Sequence, residues 1–242
     1  MKNENSQSEV MEDGLGRMES EKEIRGGGGG GGGFRKKSLG ERELEIMRFC
    51  YEQVFLTRRQ IRRWIQYQYK LKNEETARSV VIRSLRYLQD ERLVEVVTIY
   101  NKKDAEAIRV TAKGLAVLLD NGAIATHEIT PSKFDSEQVT HDLLVTDIRI
   151  GWVGILPPRY FWCSERLLQT KNTDQIPDAM LTLFSDSTKG VVKIAIEVER
   201  FQKSSARYEK KFRDYEAGTA YDLVYYFSAN AEITKAIHLG LR

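Results

Sequence analysis

The chain has 242 residues, of which 41% are hydrophobic and 30% are charged, and its formal net charge is +3. This length leaves room for one large domain or two ordinary ones with a hydrophobic core. No apolar run reaches the roughly 18 residues that a membrane-spanning helix needs, and the charged N-terminus is unlike a signal peptide, so we expect a cytoplasmic protein. Cys50 and Cys163 have no companions at metal-ligand spacing, which argues against a zinc site or a disulfide framework and favours buried apolar roles.

The positive charge is concentrated in one part of the chain. Residues 34–122 carry 19 Lys and Arg against 12 Asp and Glu, whereas the residues before and after them are net negative. A local excess of this kind is typical of a nucleic-acid-binding module, because neutralising phosphates supplies most of the non-specific affinity. A merely solvated basic surface has the same signature, so charge alone does not decide between the two.

The first 33 residues are predicted to be a disordered acidic tail with a flexible linker. The tail is polar and almost without aromatic residues, and eight consecutive glycines, at positions 26–33, follow it. Such a composition cannot bury enough apolar surface to offset the entropy of ordering.

Apolar residues at helical spacing predict three helices between residues 41 and 91. The first runs over 41–54, the second begins after an N-cap at Thr57, and the third spans about 75–91. A strand near 93–100, a polar tip, a returning strand near 108–114 and an apolar helix follow. The residues expected to face the core from the second and third helices are Ile61, Trp64, Ile65, Tyr69, Val80, Val81, Leu85 and Leu88.

Three helices followed by a β-hairpin make a winged helix-turn-helix. The segments LTRRQIRRWI, ETARSVVIRSLRYLQDERLVE and VTAKGLAVL resemble winged-helix DNA-binding domains of bacterial regulators. In those domains the third helix enters the major groove and the wing touches the DNA backbone. An arginine fork can grip a guanine edge or a phosphate at two points, although any single arginine is equally at home on a solvated helix face. The resemblance implies DNA contacts by Arg58, Arg59, Arg62, Arg78, Ser79, Arg83, Arg86, Lys102 and Lys103.

Residues 123–137 are predicted to be a linker between a domain at 34–122 and a second domain at 138–242. The second domain has the predicted order α-β-β-β-α-β-α. Its first helix ends before two prolines, at positions 157 and 158, and its strands fall within 159–168, 177–184, 191–200 and 221–228. The residues expected to face inward from the first of these helices are Val139, Leu143, Leu144, Ile148, Trp152 and Ile155.

Three carboxylates lie on the hairpin that the second and third of these strands would form. If Phe184 lies opposite Val191, then Asp178 falls opposite Glu197, and Glu199 lies two residues further along on the same face. Clustered carboxylates repel one another unless a cation joins them. Magnesium takes oxygen ligands of this kind, which makes it the expected metal if there is one.

The strand order and the carboxylates resemble the restriction-endonuclease-like PD-(D/E)xK fold, on Pro177-Asp178 and Glu197-Val198-Glu199. In that family the Asp and the first Glu bind magnesium, and a Lys two residues later helps to activate the attacking water. Here Glu199 stands where that Lys would be. The resemblance implies metal ligands at Asp178, Glu197 and Glu199 and, if the domain is active, catalytic roles for Asp178, Glu197, Glu199 and Lys203.

The departure from the family pattern leaves a second interpretation open. A cation from the following helix, Lys203, Lys210 or Lys211, would have to replace the missing lysine in a working enzyme. Alternatively the domain is a retained scaffold whose acidic residues pair with Lys203, Arg200 or Lys211.

Taken together, the two halves resemble the replication-relaxation family of plasmids and mobile elements. Besides the winged helix, the resemblance rests on His141-Asp142, on the runs IPDA and IEVER, and on a helix with Lys211 and Tyr215. His141 is either a ligand-orienting residue or, more simply, a helix-surface histidine beside Asp142. The nuclease-like domain of this family is not generally known to cut DNA.

The leading hypothesis is a sequence-specific double-stranded DNA-binding protein that regulates replication, mobilisation or transcription of a plasmid or mobile element. Its second domain would then serve partner contact or dimerisation, and a homodimer fits a winged helix that reads two half-sites. One alternative is a magnesium-dependent endonuclease that the winged helix brings to its site. Another is an adaptor that brings DNA to a relaxase or replication protein.

Overall fold

The computed structural model describes residues 39–99, 106–124, 136–156, 159–168, 176–184 and 190–240. These residues belong to one compact unit, Leu39–Arg242. They form eight helices and two sheets, so the predicted α+β class is confirmed. Within the described ranges no helix is both long and apolar enough to cross a membrane. The predicted acidic tail and glycine linker, Lys102 and Lys103 lie outside the described residues.

The N-terminal segment, residues 41–120, has the predicted order of three helices, a hairpin and a fourth helix. The two strands pair antiparallel, and Leu56 adds a further bridge to Ile108. The elements are α1 (Glu41–Gln53), α2 (Arg58–Gln68), α3 (Glu74–Asp90), β1 (Val94–Thr98), β2 (Glu106–Val110) and α4 (Ala112–Asp120).

Side-chain caps define where the helices of this segment begin. Thr57 and Gln60 form a reciprocal capping box at α2, which confirms the predicted N-cap. Asn73 caps α3 through the backbone N–H of Thr76 at 2.8 Å. Gly114 in α4 lies so close to the start of the hairpin that a Cβ there would clash with the carbonyl oxygen of Leu93. Only glycine allows this approach of α4 to the hairpin.

The predicted core stripes of α2 and α3 are correct except at one residue. Tyr69 is 39% exposed, not buried. The reason is local: α2 ends at Gln68, and the chain then turns through Lys70, whose φ is +47°. Leu71 packs against the core instead. The residues confirmed as buried are Ile61, Trp64, Ile65, Val80, Val81, Leu85 and Leu88.

The C-terminal segment, residues 136–240, is built on a four-stranded sheet in the order β3-β4-β5-β6. Neighbouring strands are antiparallel except β5 and β6, which are parallel. The predicted order is present, with the short α6 as an addition. The elements are α5 (Ser136–Val153), β3 (Tyr160–Ser164), α6 (Glu165–Leu168), β4 (Ala179–Phe184), β5 (Val191–Glu199), α7 (Ser205–Ala217), β6 (Leu223–Ser228) and α8 (Ala231–Gly240).

Helices cover the sheet on both faces. On one face Val145 of α5 packs among Trp162, Leu181 and Ile196. On the other face Tyr208 of α7 is fully buried and packs against α8. Side chains of β5 alternate between these two faces, as strand geometry requires.

Two of the predicted inward positions of α5 are wrong. Leu144 is 39% exposed and Ile155 is 77% exposed. The helix ends at Val153, so Ile155 lies beyond the periodic part of the helix. Val139, by contrast, is fully buried as predicted.

A buried arginine of α5 joins the two segments. Arg149 is 6% exposed and forms an ion pair with Glu52 of α1, with NH1 2.7 Å from Oε2. Its guanidinium lies 5.0 Å from the ring centroid of Phe49 and 4.9 Å from that of Trp64. These two rings stack on each other with centroids 4.1 Å apart. The segments therefore share a packed contact at this arginine.

Hydrogen bonds extend this contact on both sides. Gln60 donates from Nε2 to the carbonyl oxygen of Leu143 at 2.7 Å, and the hydroxyl of Tyr67 donates to the carbonyl oxygen of Val153. The hydroxyl of Ser164 donates to the backbone of Glu52. The boundaries of the two predicted domains stay predictions.

We expect Arg149→Met to lower the free energy of unfolding by about 3 kcal/mol, because it leaves Glu52 short of a buried counterion and removes the cation from two aromatic faces. Arg63→Met is the matched control, since Arg63 is exposed and its NH1 lies 3.8 Å from Asp147. That change should cost less than about 0.5 kcal/mol. Urea unfolding of both variants measures the difference, and equal losses would contradict a special role for Arg149.

Candidate nucleic-acid interface and carboxylate site

A groove of about 270 Å³ lies between α2 and α3, and four of the predicted DNA-binding residues line it. The helices present these arginines because their opposite faces are committed to the core. The lining residues are Arg58, Arg59, Arg62, Arg78, Val81, Ile82 and Leu85.

Three of the four groove arginines have acidic neighbours. Arg58 lies 3.3 Å from Glu106 of β2, and both side chains are about half exposed. Arg62 lies 2.7 Å from Glu74, and Arg78 lies 3.7 Å from Glu75. The pairs of Arg58 and Arg78 are largely exposed and contribute little to stability, so a phosphate can replace their carboxylates at low cost. Arg59 is exposed and has no ion-pair partner among the residues that the structure describes.

The outer face of α3 carries the remaining candidates. Ser79, Arg83 and Arg86 are all exposed and follow one another at helical spacing along one face. Arg83 donates from Nε to the carbonyl oxygen of Ser79 at 3.3 Å. Ile82, on the groove side of this face, is 43% exposed.

The carboxylates have the predicted strand register. Phe184 lies opposite Val191. Ala179 lies opposite Ile196, so Asp178 and Glu197 are the next opposed pair. The Oδ2 atom of Asp178 accepts a 2.6 Å hydrogen bond from the backbone N–H beside Glu197, that of Val198. This bond fixes Asp178 at the end of the hairpin.

Both glutamates of β5 are buried and already have cationic partners. Glu197 accepts hydrogen bonds from the ammonium of Lys211 and from the hydroxyl of Tyr215, both on α7. Glu199 accepts from the ammonium of Lys203 at 2.7 Å. The pairings expected of a retained scaffold are thus present for both lysines.

Arg200, the third cation named for these pairings, has a different partner. It donates to the carbonyl oxygen of Glu137 at 2.7 Å. Its guanidinium also lies 4.9 Å from the ring centroid of Phe201.

His141 lies against Asp178, and the simpler interpretation of it as a surface histidine is wrong. Its Nε2 is 3.0 Å from Oδ1 of Asp178, and both side chains are 18% exposed. Burial lowers the pKa of His141, but the hydrogen bond and charge of Asp178 outweigh that effect and raise the pKa overall. His141 therefore orients the carboxylate of Asp178.

The carboxylate site as arranged does not fit a hard divalent cation, because a cationic side chain already lies against each of the three carboxylates: Lys211 at Glu197, Lys203 at Glu199 and His141 at Asp178. Burial raises the pKa of Glu197 despite the opposing effect of Lys211. The hydroxyl of Tyr226, opposite Glu197 on β6, is buried without a hydrogen-bond partner among the described residues, but a phenol is a poor magnesium ligand. Across the described part of the chain, no group of three or more His, Cys, Asp or Glu side chains is placed to hold a metal. The assignment of Asp178, Glu197 and Glu199 as metal ligands stays a prediction.

Sequence reasoning did not foresee two features of these sites. The first is that Lys211 and Tyr215 both bind Glu197. The sequence contains an indication of this, because the two residues are four apart and share a helix face with the buried Tyr208. The contact of Arg149 with Glu52 had no local signal, since its partners lie on other elements far away in sequence.

Fold and sites together define an α+β protein in which a basic helical segment packs on a mixed sheet with a buried carboxylate cluster. The family model for replication-relaxation proteins matches residues 47–223, well over half of the chain, and the protein belongs to that family. Membership indicates a role in the replication or mobilisation of a plasmid or mobile element. No curated protein and no solved structure matches the chain.

Asp142, beside His141, should make stability depend on pH. Burial raises its pKa to about 6, with added effects of Glu165 and Asp178, against the hydrogen bond from Gln138 and the charge of His141. The folded state therefore holds this proton more tightly than the unfolded state, and the stability that the proton provides is lost as pH rises from about 4 through about 6.

We expect Asp142→Asn to be more stable than the wild type by about 2 kcal/mol near pH 8 and equal to it near pH 4. Asp147→Asn on the same helix is the control, because that carboxylate is about half exposed. Chemical unfolding across this pH range measures the effect. A parallel response of the two variants would contradict the assignment.

Proposed function

We propose that this protein is a sequence-specific double-stranded DNA-binding protein that regulates replication, mobilisation or transcription of a plasmid or mobile element. The observation that carries the proposal is the arginine-lined groove between α2 and α3 beside the exposed face of α3. Phosphates neutralised by such residues supply affinity, and arginine forks on base edges supply specificity.

In this proposal the N-terminal segment is a winged helix-turn-helix. Three helices, a β-hairpin and the bridge between Leu56 and Ile108 support that assignment. The third helix, α3, would enter the major groove with Ser79, Arg83 and Arg86 toward the bases. The groove arginines on α2 would hold the phosphates at its edge.

The C-terminal segment, in the same proposal, is a PD-(D/E)xK-like domain that does not cut DNA. The lysine partners of Glu197 and Glu199 support this, because a nuclease needs those carboxylates for its metal. We propose that the segment instead contacts a partner, either a relaxase or replication protein or a second copy of the chain. Phe161, Phe184 and Val191 share one face of the sheet and are each 41–49% exposed, and exposed apolar surface of this kind favours such a contact.

The DNA-binding proposal predicts affinity for duplex DNA that falls by a factor on the order of 10³ between about 50 and 200 mM salt, if about six phosphates are contacted. Arg59→Ala should weaken binding about tenfold on every duplex, because it removes a phosphate contact without altering the core. Arg213→Ala, on an exposed position of α7, is the matched control and should leave affinity unchanged. Fluorescence anisotropy on a labelled duplex measures both effects, and binding that is absent or independent of salt would refute the proposal.

The same assay separates reading of bases from holding of phosphates. The double variant Arg83→Ala/Arg86→Ala should bind the protein's specific DNA site more weakly, by about 1–3 kcal/mol for each base that these arginines read. Its affinity for random duplex should fall less. Equal decreases on both duplexes would place these residues on phosphates only.

A nicking assay tests the non-cleaving role. Supercoiled plasmid should stay supercoiled with the protein and either MgCl₂ or MnCl₂, because the carboxylates already have cationic partners. Asp178→Ala, purified and assayed in parallel, controls for contaminating nucleases. Nicking by the wild type that needs the metal and disappears in Asp178→Ala would establish the endonuclease alternative.

A further inference from the structure

Glu197 lies at the centre of the carboxylate site, and its two hydrogen-bond partners described above both come from α7. Its side chain is 2% exposed, so its charge is almost fully removed from water. Lys211 binds one carboxylate oxygen and Tyr215 binds the other. A divalent cation at this carboxylate would have to displace the Lys211 ammonium, whose positive charge lies where the metal would bind.

The two partners come from a helix that is built to deliver them. Tyr208, Lys211 and Tyr215 follow one another along the inward face of α7, at spacings of three and four residues. Tyr208 is fully buried against α8, and this packing fixes the rotation of α7 about its axis. With that rotation fixed, the ammonium of Lys211 is directed at Glu197.

The neighbouring lysine provides a contrast. Lys210 is exposed and has no ion-pair partner in the described parts of the chain, whereas the side chain of Lys211 is 25% exposed and paired. Of these two lysines, Lys211 is the one placed to neutralise the buried glutamate. A buried carboxylate that keeps its charge needs an opposite charge beside it, and this lysine supplies one.

We infer that Lys211 is a built-in counterion at the position where a nuclease of this architecture holds its divalent cation, and that the site is closed to such cations. The inference rests on the proposed nuclease-like ancestry of the C-terminal segment. It goes beyond a non-cleaving role, because it names the group that replaces the metal and makes the attachment of α7 to the sheet depend on it. Lys203 and His141 complete the replacement at Glu199 and Asp178.

Thermal unfolding of the full chain tests the inference. The wild type should unfold at the same temperature, within about 2 °C, with EDTA, MgCl₂ or MnCl₂, since the carboxylate site takes up no metal. Lys211→Met should unfold about 5–10 °C lower, because it leaves a buried carboxylate without its counterion, and Lys210→Met should unfold as the wild type does.

A double-mutant cycle shows whether the loss of stability in Lys211→Met is caused by the unpaired charge of Glu197. In a Glu197→Gln background the decrease caused by Lys211→Met should fall to less than half, because no buried charge remains to be neutralised. An equal decrease in both backgrounds would overturn the inference. If the Lys211→Met variant does not fold, the double variant Glu197→Gln/Lys211→Met still gives an answer when it is compared with Glu197→Gln alone. The double variant regains a folded state only if Glu197 is the partner of Lys211.

The metal titration of the wild type needs no variant. Stabilisation by MgCl₂ or MnCl₂ of more than about 2 °C would overturn the inference, and Lys211 would then be a catalytic group of a metal-dependent enzyme. Duplex binding by the wild type in EDTA is measured separately, so failure of the DNA-binding proposal is distinguishable from failure of this one.

Discussion

The buried ion pair between Arg149 and Glu52 is the contact on which the rest of the structure depends. It belongs to a network that closes on itself. Arg48 bridges Glu45 and Glu52 at 2.8 and 3.2 Å, Glu45 accepts from the indole N–H of Trp64 at 2.9 Å, and the ring of Trp64 lies against the guanidinium of Arg149. Every charge in this network has an opposite or aromatic neighbour. The ion pair with Glu52 and the neighbouring aromatic rings therefore offset part of the cost of burying Arg149 between the segments.

Features with a local cause were predictable from the sequence. The cap at Thr57 and the core stripes of α2 and α3 follow from side-chain chemistry and helical period, and the pairing of Phe184 with Val191 follows from strand alternation. The burial of Arg149 was not predictable, because an arginine in a helical pattern indicates a solvent face and its partners lie on other elements. The error at Tyr69 has a simpler cause: the helix ends one residue earlier than its apolar pattern.

In the carboxylate site, too, the features with a local cause were predictable and those set by tertiary packing were not. Strand register places Asp178 opposite Glu197 with no knowledge of the rest of the chain. Which cations meet these carboxylates depends on how α7 and α5 are rotated, and tertiary packing sets those rotations through Tyr208 on one side of the sheet and Val145 on the other. A sequence pattern alone therefore left both a metal site and a salt-bridged scaffold open as interpretations of the same three acids, with the scaffold preferred.

Helix α5 contributes to three separate clusters of buried residues. Val139 packs near the hairpin, Val145 packs on the sheet, and Ile150 and Val153 belong to the core of the N-terminal segment. Because α5 is a single continuous helix that packs on both segments, it fixes the angle between α3 and the sheet. If the proposed function is correct, a duplex along α3 and a partner on the C-terminal segment would be held at a constant rotational phase of the double helix. The spacing of their binding sites along DNA would then matter to within a fraction of a turn.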